Sequence, residues 1–84
     1  MPTISIFYGI VITMHLAEKE HNPPHIHARY GEYRTTFTIE GGIKGDGKFP
    51  NRAASMVREF IETHKSELLE MWETEKYRKI KGLD

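Results

Sequence analysis

Residues 25–38, HIHARYGEYRTTFT, decide the fold of this 84-residue chain. Apolar and polar residues alternate on both sides of Gly31-Glu32, and glycine supplies the positive φ that a two-residue hairpin loop needs. With that loop, Tyr30 pairs with Tyr33, and the register of the hairpin follows. Ile26 then lies opposite Phe37 on an apolar face that covers the core. The pattern predicts two antiparallel strands, at 25–30 and 33–39.

The opposite face of this hairpin is a candidate binding site. It carries six polar side chains as three cross-strand pairs: His25 with Thr38, His27 with Thr36, and Arg29 with Arg34. Like charges directly opposite each other repel, so Arg29 and Arg34 either splay into water or lie near an anion. Guanidinium, imidazole and hydroxyl groups together are donors of the kind that hold phosphate. We therefore predict that this face, with His21 from the preceding loop, binds an anionic ligand.

The stretch His21-Asn22-Pro23-Pro24-His25-Ile26-His27 is also a candidate metal site. His25 and His27 share one face of a strand about 7 Å apart, and neutral imidazole is a common ligand of transition metals. A complete site needs three or four ligands, which His21 or Glu20 would have to complete. We expect no cofactor, with a divalent transition metal such as zinc as the alternative. In a third interpretation, the imidazoles only hydrogen-bond the loop backbone and order the Pro-Pro turn.

Composition limits the class of protein. Eighty-four residues suffice for one domain, spanning 1–84. Lysine and arginine number 12, as do aspartate and glutamate, so no global basic field attracts nucleic acid. The chain has no cysteine, and no segment approaches the roughly 20 apolar residues of a membrane span. Thr3 and Ser5 interrupt the first apolar residues, unlike a signal peptide. These features predict a soluble, cytoplasmic protein.

The N-terminal third predicts another hairpin. Residues 3–7 and 10–15 are rich in β-branched residues, with Tyr8-Gly9 between them as a two-residue turn. Residues 16–24 are polar and end in two prolines, which is typical of a loop. A short strand is also possible at Ile43-Lys44, in a segment rich in glycine.

Helices are predicted for the C-terminal part, with Asn51 as N-cap. Apolar residues recur there at helical spacing and form one stripe that faces the sheet: Ala53, Val57, Phe60, Ile61, Leu68, Met71 and Trp72. Weak helix formers at 63–66 predict a break, with one long helix as the alternative. Residues 77–83 are interpreted as a final strand or a docked tail. The fold class is therefore α+β: a small, mostly antiparallel sheet of about four strands, with one or two helices on one face.

No catalytic residue emerges from the sequence. The serines lack a nucleophile elbow, and no phosphate-binding loop is present. His64 lies on the helical stripe with Glu67 one turn on. It is interpreted as a core residue with a satisfied hydrogen bond, and a general base oriented by Glu67 is the alternative. Four basic residues near the C-terminus are interpreted as solvated surface: Lys76, Arg78, Lys79 and Lys81.

Several motifs together resemble a known family. They are the Pro2-Thr3-Ile4 start, the run from His21 to His27 leading into Tyr30-Gly31-Glu32-Tyr33, the Phe49-Pro50-Asn51-Arg52 helix start, and His64 with Glu67-Leu68 and Trp72. This combination resembles the small bacterial proteins of the family named domain of unknown function 4160, over nearly the whole chain. Where relatives often carry tryptophan in the first helix, this chain has Phe60.

The resemblance implies a stand-alone α+β domain whose relatives are often suspected of belonging to toxin–antitoxin-like gene pairs. Combined with the polar face, it predicts a binding or regulatory module of such a pair. The partner would be a protein from a neighbouring gene or a nucleic acid, and no membrane. The alternative is a small metal-dependent or histidine-based enzyme that acts on RNA.

Overall fold

The computed structural model describes residues 2–14, 23–40, 42–44 and 48–83. Within these ranges, five strands form an antiparallel sheet in chain order: β1 (Thr3–Phe7), β2 (Ile10–Thr13), β3 (His25–Tyr30), β4 (Tyr33–Thr38) and β5 (Ile43–Lys44). Two helices follow, α1 (Asn51–Thr63) and α2 (Lys65–Thr74). The predicted α+β class is confirmed, including the short fifth strand. Most of the predicted loop at 16–24, with Glu20 and His21, lies outside the described residues.

The register of the central hairpin is the predicted one. Tyr30 pairs with Tyr33 across the Gly31-Glu32 loop, and Gly31 has a φ of 59°. Ile26 pairs with Phe37, and both are fully buried on the core side. The first hairpin turns at Tyr8-Gly9, where both residues have positive φ, as in the turn type that matches strand twist. Both predicted hairpins are confirmed.

The core lies between one face of the sheet and the two helices. The seven apolar residues of the predicted helical stripe are buried, and Phe60 is fully inaccessible. Its ring stacks on Phe7 of β1 with 5.0 Å between centroids. Phe49, just before α1, packs edge-on against Phe37 of β4 at 5.6 Å. These aromatic contacts join the helical layer to both hairpins.

The helix boundaries correct one prediction and confirm another. Asn51 is the first residue of α1 and not its N-cap, because Pro50 holds that position with extended backbone (φ −56°, ψ 134°). The Pro50 carbonyl accepts from Ala54 N–H at 2.8 Å and so closes the first helical turn. The predicted break is confirmed at His64, which separates α1 from α2. The alternative of one long helix is wrong.

The segment after α2 is a docked tail and not a final strand. Glu75 ends α2 with a φ of 59°, and the chain returns to the edge of β1. There Ile80 N–H donates to the Ile4 carbonyl at 2.8 Å, and the Ile80 side chain is buried. The packing is tight, since a Cβ on Gly82 would lie 2.5 Å from Phe7 Cβ. None of the helices in the described ranges is long and apolar enough to cross a membrane.

Candidate functional site

His25, the first residue of β3, is held inside the protein. Only 3% of the residue is exposed. Its Nδ1 lies 2.8 Å from the Pro23 carbonyl, and a carbonyl only accepts, so Nδ1 carries the proton and donates. The ring lies 4.9 Å from the Trp72 ring of α2 and 5.3 Å from the His27 ring. This geometry is that of an imidazole that orders the Pro-Pro turn, which was the third interpretation of the motif.

His27 and Thr36 form the half-buried middle of the polar face. They pair directly across β3 and β4, with 3.3 Å between His27 Nδ1 and Thr36 Oγ1. The hydroxyl can donate or accept, so it can serve either tautomer of the ring. Both residues are more accessible than His25, so a ligand can approach both of them.

Thr38 is engaged in the turn that leads to β5. Its hydroxyl accepts from Gly42 N–H at 2.9 Å and lies 3.3 Å from the Gly42 carbonyl. The Thr38 backbone N–H also donates to that carbonyl at 2.8 Å. Thr38 therefore shapes the edge of the face and has little capacity left for a ligand.

Arg29 and Arg34 are two exposed cations of the face. They lie directly opposite each other on β3 and β4. No described residue gives either guanidinium a hydrogen bond or an ion pair, and both side chains are exposed. Val11 of β2 pairs with Arg29 on the other side, and Ile6 of β1 pairs with Val11. We call these four residues, Ile6, Val11, Arg29 and Arg34, the outer row.

The structure brings six of the seven predicted binding residues onto one face, as three neighbouring pairs on β3 and β4. The seventh, His21, lies outside the described residues. Within the described ranges, no group of three or more histidine or acidic side chains could hold a metal ion. The metal hypothesis for His25, His27 and His21 therefore depends on a residue that the structure does not describe, and it stays a prediction.

A second polar cluster joins the helix break to the tail. His64 has the satisfied hydrogen bond that the core interpretation predicts, but the residue is only half-buried. Its Nδ1 lies 2.8 Å from Glu67 Oε1, the partner named in the general-base alternative. Arg78 of the tail donates to Glu67 Oε2 at 3.0 Å from Nη2 and at 3.4 Å from Nη1. The pKa of Glu67 is lowered, chiefly by the hydrogen bond from His64 and further by the charges of His64 and Arg78, while desolvation opposes the shift. Sequence reasoning missed Arg78, because only the path of the tail brings it there.

Two exposed features were also missed. Ile6 is 60% exposed on the same sheet face as the arginine pair. The sequence could have predicted this position if the register had been extended from β3 through β2 to β1. Tyr30 and Tyr33 lie on the core side of the sheet by register, yet they are 38% and 43% exposed. Tyr30 has Phe49 as a ring neighbour at 6.4 Å.

The fold and the site define a small two-layer α+β domain. The helices cover one sheet face, and the accessible polar residues Arg29, Arg34, His27 and Thr36 lie on the other. The family model described as "Domain of unknown function (DUF4160)" matches residues 9–73. This span covers most of the chain, so the protein belongs to that family, and the resemblance seen in the sequence is confirmed. No curated protein and no solved structure matches the chain.

Proposed function

We propose that this protein is a binding module whose outer sheet face holds an anionic group of a partner. One observation carries the proposal: Arg29 lies opposite Arg34, and neither has a counter-charge among the described residues. Directly paired residues have Cβ atoms about 5 Å apart. Two unit charges held at that distance repel by about 1 kcal/mol in water and about 3 kcal/mol near a protein surface. A carboxylate or phosphate between them replaces this repulsion with charge-assisted hydrogen bonds.

The other residues of the face have graded roles in this proposal. His27 and Thr36 lie one pair further along the same strands and remain half-exposed, so they can add donors to a bound anion. His25 and Thr38 already bond to the backbone of the flanking turns, and they hold the strands in place. The ligand-binding part is therefore the arginine pair with His27 and Thr36 beside it.

The biological setting in this proposal is a toxin–antitoxin-like gene pair. Membership in the family supports it, because the resemblance seen in the sequence implies relatives that are suspected of belonging to such pairs. A regulatory module of such a pair works by holding its partner, and a charged face without counter-ions among the described residues serves that purpose. The proposal places the pair in the bacterial cytoplasm.

Binding of tripolyphosphate tests the anion site, because this probe is a compact polyanion without bases or side chains. Calorimetry compares the wild type with Arg29→Gln/Arg34→Gln and with the control Arg52→Gln/Lys65→Gln, which removes two exposed cations from the helices. We expect affinity to fall about tenfold or more in the outer-face variant and less than about twofold in the control. Equal losses in both variants, or no binding by the wild type, would refute the proposal.

The second candidate is a histidine-based or metal-dependent enzyme acting on RNA. The 2.8 Å contact between His64 and Glu67 favours it, since a carboxylate that holds one ring nitrogen orients the other as a base. Labelled RNA is incubated with the wild type and with His64→Gln, with and without EDTA. Cleavage that His64→Gln or EDTA abolishes would establish the enzyme, and intact RNA throughout would exclude it.

A further inference from the structure

The outer row combines an apolar half with a cationic half, and this combination points to one kind of partner. Ile6 and Val11 lie on β1 and β2, with Ile6 60% exposed, and the arginine pair lies on β3 and β4. We infer that the occupant is an acidic, amphipathic helix of a partner protein, lying across the four strands. This inference rests on the proposed function, because it assigns the chemical nature of the ligand to the same face.

The spacing of the row fits a helix better than an extended peptide. Four strands about 4.8 Å apart span about 14 Å, which is about ten residues of helix at 1.5 Å per residue. Directly paired strand residues such as Arg29 and Arg34 have Cβ atoms about 5 Å apart. Helix residues at i and i+3 or i+4 have a matching separation of about 5–6 Å, whereas same-face residues of a strand lie about 7 Å apart. The fitting helix carries an acidic pair and, about two turns away, apolar residues.

Nucleic acid fits the outer row less well. The exposed side chain of Ile6 makes no favourable contact with a phosphate backbone. The 12 cations of the chain are also balanced by 12 anions, so the chain as a whole does not attract nucleic acid. Binding of single strands relies on aromatic rings beside the cations. The exposed Tyr30 and Tyr33 belong to the other face of the sheet by register. A helix with acidic and apolar positions uses both halves of the row.

A second copy of the chain is also a poorer occupant. The helices expose acidic pairs, such as Glu59 with Glu62 and Glu70 with Glu73. A contact between the sheet face of one copy and the helical face of another is heterologous and leaves a complementary surface open at each end. Such contacts propagate unless a ring closes. A separate partner that covers the row once has no such consequence.

Selection from a display library tests this inference. The library presents helical 16-residue peptides with one randomised face, and the bait is the full chain. We expect enriched peptides to carry Asp or Glu at i and i+3 or i+4, with apolar residues about two turns away. Each enriched peptide is then measured against the wild type, Arg29→Glu/Arg34→Glu, Ile6→Ser, and the control Arg52→Glu/Lys65→Glu, after circular dichroism has shown that each variant folds.

The expected pattern is specific. Affinity falls about a hundredfold in the arginine reversal and about threefold to tenfold in Ile6→Ser, and it changes less than about twofold in the control. Peptides with the acidic pair changed to lysine regain affinity for the arginine reversal. Enriched peptides without an acidic pair, no enrichment at all, or equal affinity for the arginine reversal would each overturn the inference.

Parallel measurements separate this inference from the proposed function. If single-stranded RNA occupies the row, RNA binding depends on Arg29 and Arg34. If a second copy occupies it, self-association of the protein in sedimentation depends on the same two residues. Either result would show that the helix inference is wrong. Binding of tripolyphosphate at the arginine pair would still support the anion site in that case. If the wild type binds neither tripolyphosphate nor any peptide, both the proposed function and this inference are wrong.

Discussion

The indole ring of Trp72 packs on the imidazole ring of His25, with 4.9 Å between the centroids and 56° between the planes. His25 begins the strand that carries the candidate site, and Trp72 lies near the end of α2. The same imidazole donates to the Pro23 carbonyl. One buried ring therefore joins the Pro-Pro turn, the sheet and the second helix.

Replacement of His25 should therefore destabilise the fold and disturb α2. His25→Ala removes a buried hydrogen bond and ring packing, and we expect the free energy of unfolding to fall by about 1–3 kcal/mol. Urea titration followed by the fluorescence of Trp72, the sole tryptophan, measures this. Arg29→Ala, exposed on the same strand, is the control and should cost no more than about 0.5 kcal/mol. Similar stability of the two variants would show that His25 has no such linking role.

Phe60 should be among the largest single contributors to stability. It is fully buried and stacks on Phe7, so Phe60→Ala leaves a cavity between helix and sheet. We expect a cost of about 3–5 kcal/mol in denaturant titration. The neighbouring Glu59→Ala changes an exposed residue and should stay within about 0.5 kcal/mol. A cost below about 1 kcal/mol for Phe60→Ala would contradict the assigned core.

The sequence predicted the sheet well because side-chain alternation and turn chemistry are local. Gly31-Glu32 determines the loop, and the loop determines every pair from Tyr30–Tyr33 to His25–Thr38. The helix break near His64 was equally readable from weak helix formers. The predicted start of α1 differs from the observed one by one residue. Proline and asparagine are both common at the start of a helix, and only the backbone geometry shows which of them is the N-cap.

The site was only partly predictable, because burial depends on contacts between distant segments. The sequence of the histidine motif is equally compatible with a metal site, with an anion site and with histidines that only order the Pro-Pro turn. His25 is buried because the ring of Trp72 packs on it. The residues next to His25 in the sequence do not predict that contact. Arg78 reaches Glu67 only because the tail turns back at Glu75. Such contacts follow from the path of the chain and not from spacing.

The docked tail should be sensitive to any side chain at Gly82. A Cβ there would lie 2.5 Å from Phe7 Cβ, so the tail or β1 must shift. We expect Gly82→Ala to cost about 1–3 kcal/mol, and hydrogen exchange of the Ile80 amide, which bonds to Ile4, to accelerate. Lys81→Ala, at an exposed neighbouring position, should leave both quantities unchanged. An unchanged Ile80 amide in Gly82→Ala would show that the tail adapts without undocking.

The cluster of His64, Glu67 and Arg78 should make stability depend on pH. The pKa of Glu67 is lowered from its ordinary value of 4.5 in the folded protein, chiefly because His64 donates a hydrogen bond to the carboxylate. The unfolded chain then takes up a proton at higher pH than the folded chain. The stabilisation is complete above about pH 4.5 and disappears as the pH falls through the lower pKa of the folded state.

Glu67→Gln tests this dependence, because an amide does not titrate. Urea titrations from about pH 5.5 to about pH 3 should show the wild type more stable than the variant at the upper end, with the difference shrinking on acidification. Glu70→Gln, an exposed acid on the same helix, provides the control and should follow the wild type across the series. A difference between wild type and Glu67→Gln that stays constant or grows as the pH falls would mean that the carboxylate does not stabilise the fold through this cluster.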